Sequence, residues 1–124
     1  MKLNQILIPV TDLKRSFDFY VNLGLEPIVL TDKYVRFVMT GNDSTLSIQV
    51  RDEVKPSGVE VCFEVEKVDE KVAELKSKGL KFFTEPVDQP WKWREAYLKD
   101  PDGNTIIIFH AGKHRTNPEN KIKK

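Results

Sequence analysis

Cysteine and histidine, the side chains on which many metal centres and nucleophilic sites depend, are scarce in this sequence. One cysteine and two histidines occur among its 124 residues. A lone cysteine cannot form an internal disulfide and is typical of a reducing compartment, so we expect a cytoplasmic location. Long apolar runs are missing as well, since no stretch approaches the roughly 20 residues that span a membrane. We therefore expect no membrane partner.

An excess of charge of either sign is also missing. Twenty Lys and Arg residues face nineteen Asp and Glu residues, which leaves a formal net charge of +1. Nucleic-acid-binding domains usually carry a clear basic excess, so we expect no nucleic-acid partner. The chain is 40% apolar, enough for one packed domain at this length. Residues 113–124 are polar and basic, and we expect a solvated tail there, after a folded domain over 1–112.

A pattern of one strand-like run, one helical run and three further strand-like runs occurs twice, with an offset of 55 residues. The first helical run follows Asp12, a candidate N-cap, and stops at Gly24; the second stops at Gly79. The sequence thus predicts an α+β fold of two βαβββ modules, about 1–55 and 56–112. The predicted strands cover 6–10, 27–30, 34–39, 46–50, 59–65, 81–83, 94–99 and 105–109.

Alternation along the predicted strands separates an apolar face, which the helix of each module should cover, from a mixed face. The mixed face carries Gln5, Tyr34, Arg36, Ser47, Gln49, Glu60 and Cys62. A mixed face fits a sheet that curves around a ligand cavity, and the alternative is a plain surface in contact with solvent.

Two segments resemble one known family. They read "VTDLKRSFDFYVNLGLEP" and, much later, "DPDGNTIII". The chain up to about Ala111 is similar to the vicinal oxygen chelate superfamily, which includes glyoxalase I, bleomycin and fosfomycin resistance proteins and extradiol dioxygenases. The resemblance implies that the two modules form a curved, cup-shaped mixed sheet with the helices on its outer face. It also gives the "DPDGN" turn an architectural role, because Pro101 presets φ and Gly103 accepts a positive φ.

Metalloenzymes of this family place their ligands at positions that map onto Gln5, Gln49, Glu60 and Ile107, or onto Ser47 if the register shifts. A divalent ion needs three or four donors, and an isoleucine supplies none. We therefore expect no metal and no other cofactor. A divalent metal at the degenerate set of Gln5, Gln49 and Glu60 is the less favoured alternative.

The remaining candidates point to a flat ligand. Trp91 and Trp93 could stack on an aromatic molecule, while Arg94 or Arg36 could pair with an anionic group. Each tryptophan has a structural alternative, one in the core and the other at a dimer seam. Tyr34 and Gln49 complete the predicted ligand-binding set with Gln5, Glu60 and Ile107.

Three functions stay open at this stage. The favoured one is a homodimeric protein that binds a small aromatic or anionic molecule without chemistry, as bleomycin resistance proteins do. The second is an enzyme, either metal-dependent or with Glu60 as the base of a lyase, isomerase or dioxygenase-like reaction. In that reading burial raises the pKa of Glu60, and a salt bridge to Arg36 is its alternative role. The third is a non-catalytic interaction module.

Overall fold

The computed structural model describes residues 1–123 and confirms the α+β class with two βαβββ units. The elements are β1 (Gln5–Val10), α1 (Leu13–Leu23), β2 (Glu26–Leu30), β3 (Tyr34–Met39), β4 (Asn42–Val50), β5 (Glu60–Glu64), α2 (Val68–Ser77), β6 (Val87–Asp88), β7 (Arg94–Lys99), β8 (Thr105–His110) and a 3-10 turn (Gly112–His114). Strand β5 and helix α2 each begin 55 residues after β1 and α1. The repeat in the sequence is therefore a repeat of structure.

The chain forms two compact units. The first contains Met1–Ser57 and the turn Asp100–Asn104, and the second contains Gly58–Lys99 and the chain from Thr105 onward. Each unit has one four-stranded sheet, ordered β1-β4-β3-β2 in the first and β5-β8-β7-β6 in the second. The pairs β1–β4 and β5–β8 are parallel, and the others are antiparallel. Both sheets are thus mixed and share one topology.

Helix α1 begins and ends where the sequence predicts. The Asp12 side chain accepts a hydrogen bond of 3.0 Å from the backbone N–H of Arg15, which caps the first turn. Gly24 ends the helix with φ at 114°, a left-handed conformation that glycine adopts without strain. Tyr20 is fully buried, and its ring centroid lies 6.0 Å from that of Phe37 in β3. Phe37 therefore marks the face of the first sheet that α1 covers.

Helix α2 packs on the second sheet through Val68, Val72 and Leu75, all of which are buried. Asp69 and Glu70 lie in its first turn, where negative charge is favourable.

Within the described residues, no helix has both the length and the apolar character that a membrane span requires.

One predicted strand is wrong. Residues 81–83 make only a single bridge, between Phe82 and Leu98, and the strand beside β7 is the short Val87–Asp88 instead. The Thr84 hydroxyl accepts the backbone N–H of Tyr97 at 2.9 Å. That donor is no longer available for a regular ladder, so the pairing stops there.

The Asp100–Asn104 turn is organised by its first residue. The Asp100 carboxylate accepts the backbone N–H groups of Asp102 and Asn104, at 3.0 and 2.9 Å, and the Asn104 side-chain amide at 2.9 Å. Gly103 closes the turn with φ at 90°. The Asp102 carboxylate then accepts the backbone N–H and the hydroxyl of Thr11, just before α1. Asp100 and Asp102 therefore stabilise the first unit, which agrees with the architectural role expected for this turn.

Candidate functional site

Polar side chains gather on the face of the first sheet that points away from α1, which we call the distal face of the first sheet. Strand register places Gln5 beside Thr45, Arg36 beside Ser47, and Tyr34 beside Gln49 on this face. The sequence-predicted residues Gln5, Tyr34, Arg36 and Gln49 therefore share one surface, on three neighbouring strands.

Four of these side chains form a connected hydrogen-bond network. Gln5 Nε2 donates to Ser47 Oγ at 3.0 Å and to Tyr34 Oη at 3.4 Å, and Arg36 Nε donates to Tyr34 Oη at 3.0 Å. The two hydroxyl oxygens of Tyr34 and Ser47 lie 2.6 Å apart. Gln5 Oε1 also accepts the hydroxyl of Thr45. The network fixes the phenol of Tyr34 through three different side chains.

The electrostatic consequence is a lowered pKa at Tyr34. Burial by itself would raise this pKa, but the hydrogen bonds from Ser47, Gln5 and Arg36 and the positive charge of Arg36 together outweigh it. The other two tyrosines shift the opposite way: burial raises the pKa of both Tyr20 and Tyr97, and neighbouring carboxylates raise it further. Tyr34 is thus the tyrosine that ionises most easily.

The corresponding distal face of the second sheet, pointing away from α2, is aromatic. Trp93 stacks on Phe109 with ring centroids 4.6 Å apart and an interplanar angle of 20°. Ile107 is buried beside them, and Tyr97 packs against the same cluster. Phe109 is buried as well, whereas Trp93 and Tyr97 remain partly exposed on this face.

Two carboxylates and the single thiol adjoin the aromatic cluster. Glu95 is only 4% exposed, whereas Glu60 and Cys62 are exposed. Burial raises the pKa of Glu95, and the negative charge of Glu60 raises it further, against hydrogen bonds from Tyr97 and Trp91 that lower it. Burial and both carboxylates raise the pKa of the Cys62 thiol. The carboxylate whose pKa is raised is therefore Glu95, which sequence reasoning did not single out.

The hydrogen-bond partners of Glu95 are the neutral side chains of Tyr97 and Trp91. The Tyr97 hydroxyl lies 3.5 Å from each of its carboxylate oxygens, which is long for a hydrogen bond between oxygens. Among the residues that the structure describes, neither Glu95 nor Glu60 has a cationic partner within salt-bridge distance. A buried carboxylate without a cationic partner favours a positively charged group from outside the protein.

A strained loop carries the two tryptophans. The backbone N–H of Gln89 donates to Trp93 O at 2.7 Å, and the N–H of Lys92 donates back to Gln89 O at 3.0 Å. Lys92 closes this loop with φ at 72° and is the one non-glycine residue with positive φ in the described chain. The hydrogen bonds hold Trp93 over Phe109 and leave Trp91 52% exposed.

Arg94 lies on the other face of the second sheet, toward α2. Its guanidinium pairs with Asp69 at 2.8 Å and with Asp88 at 3.0 Å, and these hydrogen bonds raise its pKa. Glu64, at the end of β5, already has hydrogen-bond partners within the protein. Its carboxylate accepts the backbone N–H groups of Ala111 and Gly112 at 2.8 and 2.9 Å. The distal face of the second sheet therefore has carboxylates but no arginine from β7.

The residues at the family's metal-ligand positions do not fit a divalent ion. The amide oxygen of Gln5, its one ligating atom, accepts the Thr45 hydroxyl. Ile107 is 4% exposed and packs in an apolar cluster. Among residues 1–123, no group of three or more His, Cys, Asp or Glu side chains is arranged to hold a metal. Gln5 and Ser47 are thus members of a hydrogen-bond network in this structure.

The sequence contained a signal for the two residues that were missed. In β7, Glu95 and Tyr97 alternate with Ala96 and Leu98, both of which are fully buried. Alternation along this strand places Glu95 and Tyr97 on the opposite face from Arg94. The two tryptophans just before β7 are the most distinctive residues of the segment. They drew the functional prediction to Trp91, Trp93 and Arg94 and away from the alternation in β7.

Comparisons with known proteins agree with this architecture. Residues 2–108 match a family model described as the Glyoxalase/Bleomycin resistance protein/Dioxygenase superfamily. The uncharacterized protein YraH of Bacillus subtilis (strain 168) is 33% identical, over 88% of this chain and 98% of YraH. The trivalent organoarsenical cleaving enzyme of Bacillus sp. (strain MD1) is 27% identical, over 90% of this chain and 74% of that enzyme.

Solved structures show the same fold. A superfamily member from Sphaerobacter thermophilus superposes with a TM-score of 0.73 at 26% identity, over 89% of this chain and 97% of the other. The bleomycin resistance determinant encoded on transposon Tn5 gives a TM-score of 0.74 at 20% identity, over 89% of this chain and 98% of the determinant. By sequence match and by architecture, this chain belongs to the glyoxalase/bleomycin resistance protein/dioxygenase superfamily.

Proposed function

We propose that this protein binds a small aromatic molecule on the distal face of its second sheet, without a metal. The observation that carries the proposal is the Trp93–Phe109 stack beside the buried carboxylate of Glu95. A flat ring that packs against the partly exposed rings of Trp93 and Tyr97 would gain apolar burial of about 1.5–3 kcal/mol. The stack thus supports an aromatic ligand.

The charge of the ligand follows from the polar groups beside the stack. The sequence favoured an anionic ligand because Arg94 adjoins the tryptophans, but Arg94 pairs with Asp69 and Asp88 on the side of α2. Glu95 and Glu60 adjoin the aromatic cluster instead. An aromatic amine would supply the positive charge that these carboxylates lack, so we propose a cationic aromatic ligand.

Titration of tryptophan fluorescence tests this proposal. Benzylamine and benzoate share the ring and differ in charge, and a Trp91→Phe background leaves Trp93 as the reporter. We expect benzylamine to quench the fluorescence and to bind at least tenfold more tightly than benzoate, since a charged hydrogen bond contributes about 1.5–3 kcal/mol. Tighter binding of benzoate would reverse the proposed ligand charge, and quenching by neither compound would remove the proposed site.

Two further variants separate the carboxylate from the rest of the strand. Glu95→Gln keeps the shape of the side chain and removes its charge, so it should weaken benzylamine binding about tenfold. Arg94→Gln is the matched control, since it changes the neighbouring residue on the opposite face, and it should leave the affinity unchanged. Equal losses in both variants would indicate general damage to β7 rather than a role for Glu95.

A second candidate is an enzyme in which Glu95, rather than Glu60, is the base. The raised pKa of Glu95 in an apolar setting favours it, because burial makes such a carboxylate a stronger proton acceptor. An organoarsenical cleaving enzyme among the relatives shows that the family also includes catalysts. Turnover of a bound aromatic amine, lost in Glu95→Gln, would favour this candidate over simple binding.

A further inference from the structure

The guanidinium of Arg36 is held in place by the hydrogen-bond network of the first unit. Its Nε donates to Tyr34 Oη at 3.0 Å, and its central carbon lies 5.5 Å from the centre of the Tyr34 ring. The Tyr34 hydroxyl is in turn 2.6 Å from the hydroxyl of Ser47, which is fully buried. A chain of contacts thus connects Arg36 to the interior of the first unit. An arginine fixed in this way loses less conformational entropy when it binds a ligand.

The outer part of this guanidinium has no partner among the described residues. Tyr34 accepts the N–H of Nε, which leaves the N–H groups of Nη1 and Nη2. Within residues 1–123, neither nitrogen donates a hydrogen bond to the protein or lies within salt-bridge distance of a carboxylate. Arg94, by contrast, is partly buried and pairs with both Asp69 and Asp88. Arg36 is partly exposed, so an anion from solution can reach its free donors.

Arg36 carries an uncompensated positive charge on the distal face of the first sheet. Its neighbours on this face in β1, β3 and β4 are all neutral: Gln5, Leu7, Pro9, Tyr34, Val38, Thr45, Ser47 and Gln49. Asp43, further along β4, already pairs with Lys2 at 3.0 Å. Glu26, on the edge strand β2, lies beside Val38 and forms no salt bridge to Arg36 in the described chain. A negative charge on this face must therefore come from a ligand.

The corresponding face of the second unit has the opposite charge beside its aromatic cluster. The two sheets share one strand order, in which β5 and β7 take the places of β1 and β3. On this face β7 presents Glu95 and β5 presents Glu60. Lys99, at the far end of β7, lies 5.7 Å from the centre of the Phe83 ring. The carboxylates of the second unit favour a cation, and by the same physical argument Arg36 in the first unit favours an anion.

We propose that the distal face of the first sheet is an oxyanion site, where Nη1 and Nη2 of Arg36 bind the carboxylate or phosphate of a small organic acid. Both groups present two oxygens in the geometry that the planar guanidinium fork matches. Tyr34 is a positioning residue, which holds Nε and leaves the fork free. The charge of Arg36 is one of the causes that lower the pKa of Tyr34, in agreement with a positive potential here. This site does not depend on the proposed aromatic site of the second sheet.

Nuclear magnetic resonance of nitrogen-15-labelled protein locates the site, because the Nε–H of Arg36 and the backbone N–H groups of β3 each give a separate signal. The probes are acetate and inorganic phosphate, each compared with sodium chloride at the same ionic strength. We expect the signals of Arg36 and of its neighbours in β3 and β4 to shift and to saturate with at least one probe. The probe that binds more tightly identifies the group as a carboxylate or a phosphate. No saturable shift near Arg36 with either probe would overturn the proposal.

Three variants separate the guanidinium fork from a general positive charge. Arg36→Gln should weaken binding about tenfold, since it removes the charged hydrogen bonds. Arg36→Lys keeps the charge without the planar fork and should weaken binding by a smaller factor. Arg51→Gln is the matched control, because Arg51 follows β4, is exposed and also lacks a carboxylate partner within residues 1–123. Equal losses in Arg36→Gln and Arg51→Gln would indicate non-specific attraction and contradict a defined site.

Tyr34→Phe tests the positioning role. The variant keeps the ring beside Arg36 and removes the oxygen that accepts Nε, so the affinity for the anion should fall about threefold. The Nε–H of Arg36 should also exchange faster with water, an effect that the matched control Tyr97→Phe in the second unit should not show. Wild-type affinity in Tyr34→Phe would contradict the positioning role. Benzylamine binding at the second sheet is followed separately by Trp93 fluorescence, so the failure of one proposal remains distinguishable from the failure of the other.

Discussion

The hydroxyl of Tyr20, in the middle of α1, donates a hydrogen bond of 2.7 Å to Asp100, which lies 80 residues away in the turn between β7 and β8. Both side chains are buried. Burial, the nearby negative charge and this hydrogen bond together raise the pKa of Tyr20, so the phenol stays protonated and remains a donor. The Asp100–Asn104 turn is therefore packed into the buried core of the first unit.

Removing this hydrogen bond should destabilise the fold. Tyr20→Phe preserves the ring but leaves a buried carboxylate with one donor fewer, and we expect a loss of about 1.5–3 kcal/mol in the free energy of unfolding. Urea denaturation followed by circular dichroism measures the loss. Tyr97→Phe is the control, because its hydroxyl makes only contacts of 3.5 Å, and should cost less. Equal losses in the two variants would contradict a special role for Asp100.

Glu95→Gln should stabilise the protein at neutral pH, by about 1 kcal/mol, because the variant removes a buried charge that has no cationic partner. The raised pKa of Glu95 determines how stability changes with pH. The folded state binds the Glu95 proton more tightly than the unfolded state, so wild-type stability is greater below the unfolded pKa and is lost as pH rises through the folded pKa.

Denaturation of wild type and Glu95→Gln from about pH 4 to pH 8 measures this difference. The gap between the two proteins should widen as pH rises. Glu119→Gln, in the exposed tail, is the control and should show no such gap. A gap that narrows with rising pH would contradict the burial of an ionising Glu95.

Lys92→Gly should stabilise the tryptophan loop. A lysine with φ at 72° carries a left-handed cost of about 1–2 kcal/mol, and glycine relieves it at an entropic cost of about 0.5–1 kcal/mol. We expect a net gain of about 0.5–1 kcal/mol in thermal or urea unfolding. Lys99→Gly, in the regular strand β7, should instead destabilise the protein. A loss of stability in Lys92→Gly would show that the lysine side chain has contacts that outweigh its backbone strain.

Purified without a histidine tag, the protein should contain less than about half an equivalent of Zn, Ni, Mn or Fe, because Ile107 removes a donor and packs in an apolar cluster. Elemental analysis measures the content. Near-stoichiometric metal that disappears in Glu60→Ala would contradict this expectation and favour the metalloenzyme alternative.

The protein should be a homodimer, as the sequence predicts. Large apolar side chains along the edge strands β1 and β2 are exposed, including Leu7 at 42% and Leu30 at 64%, and a symmetric partner would cover such surface. Light scattering at micromolar concentration should give twice the 14.4 kDa mass of one chain. A particle of 14.4 kDa would exclude the dimer.

Local sequence determined most of the architecture. The 55-residue offset, the cap at Asp12 and the stop at Gly24 depend on spacing and on residues with particular backbone preferences, which act over a few positions. Alternation assigned Gln5, Tyr34 and Arg36 to one face, because strand geometry fixes the direction of successive side chains. The error at residues 81–83 arose where a side chain, Thr84, replaced the main chain as a partner.

Only the tertiary structure decided which charges are available to a ligand. Arg94 and Glu95 are neighbours in sequence, yet Arg94 is paired with Asp69, 25 residues away, while Glu95 is buried beside the aromatic stack. Likewise, only the register of β1, β3 and β4 gives the Tyr34 phenol its three partners. Residue type fixes what a side chain can do, whereas its pKa and its free hydrogen-bonding capacity depend on neighbours that packing alone brings together.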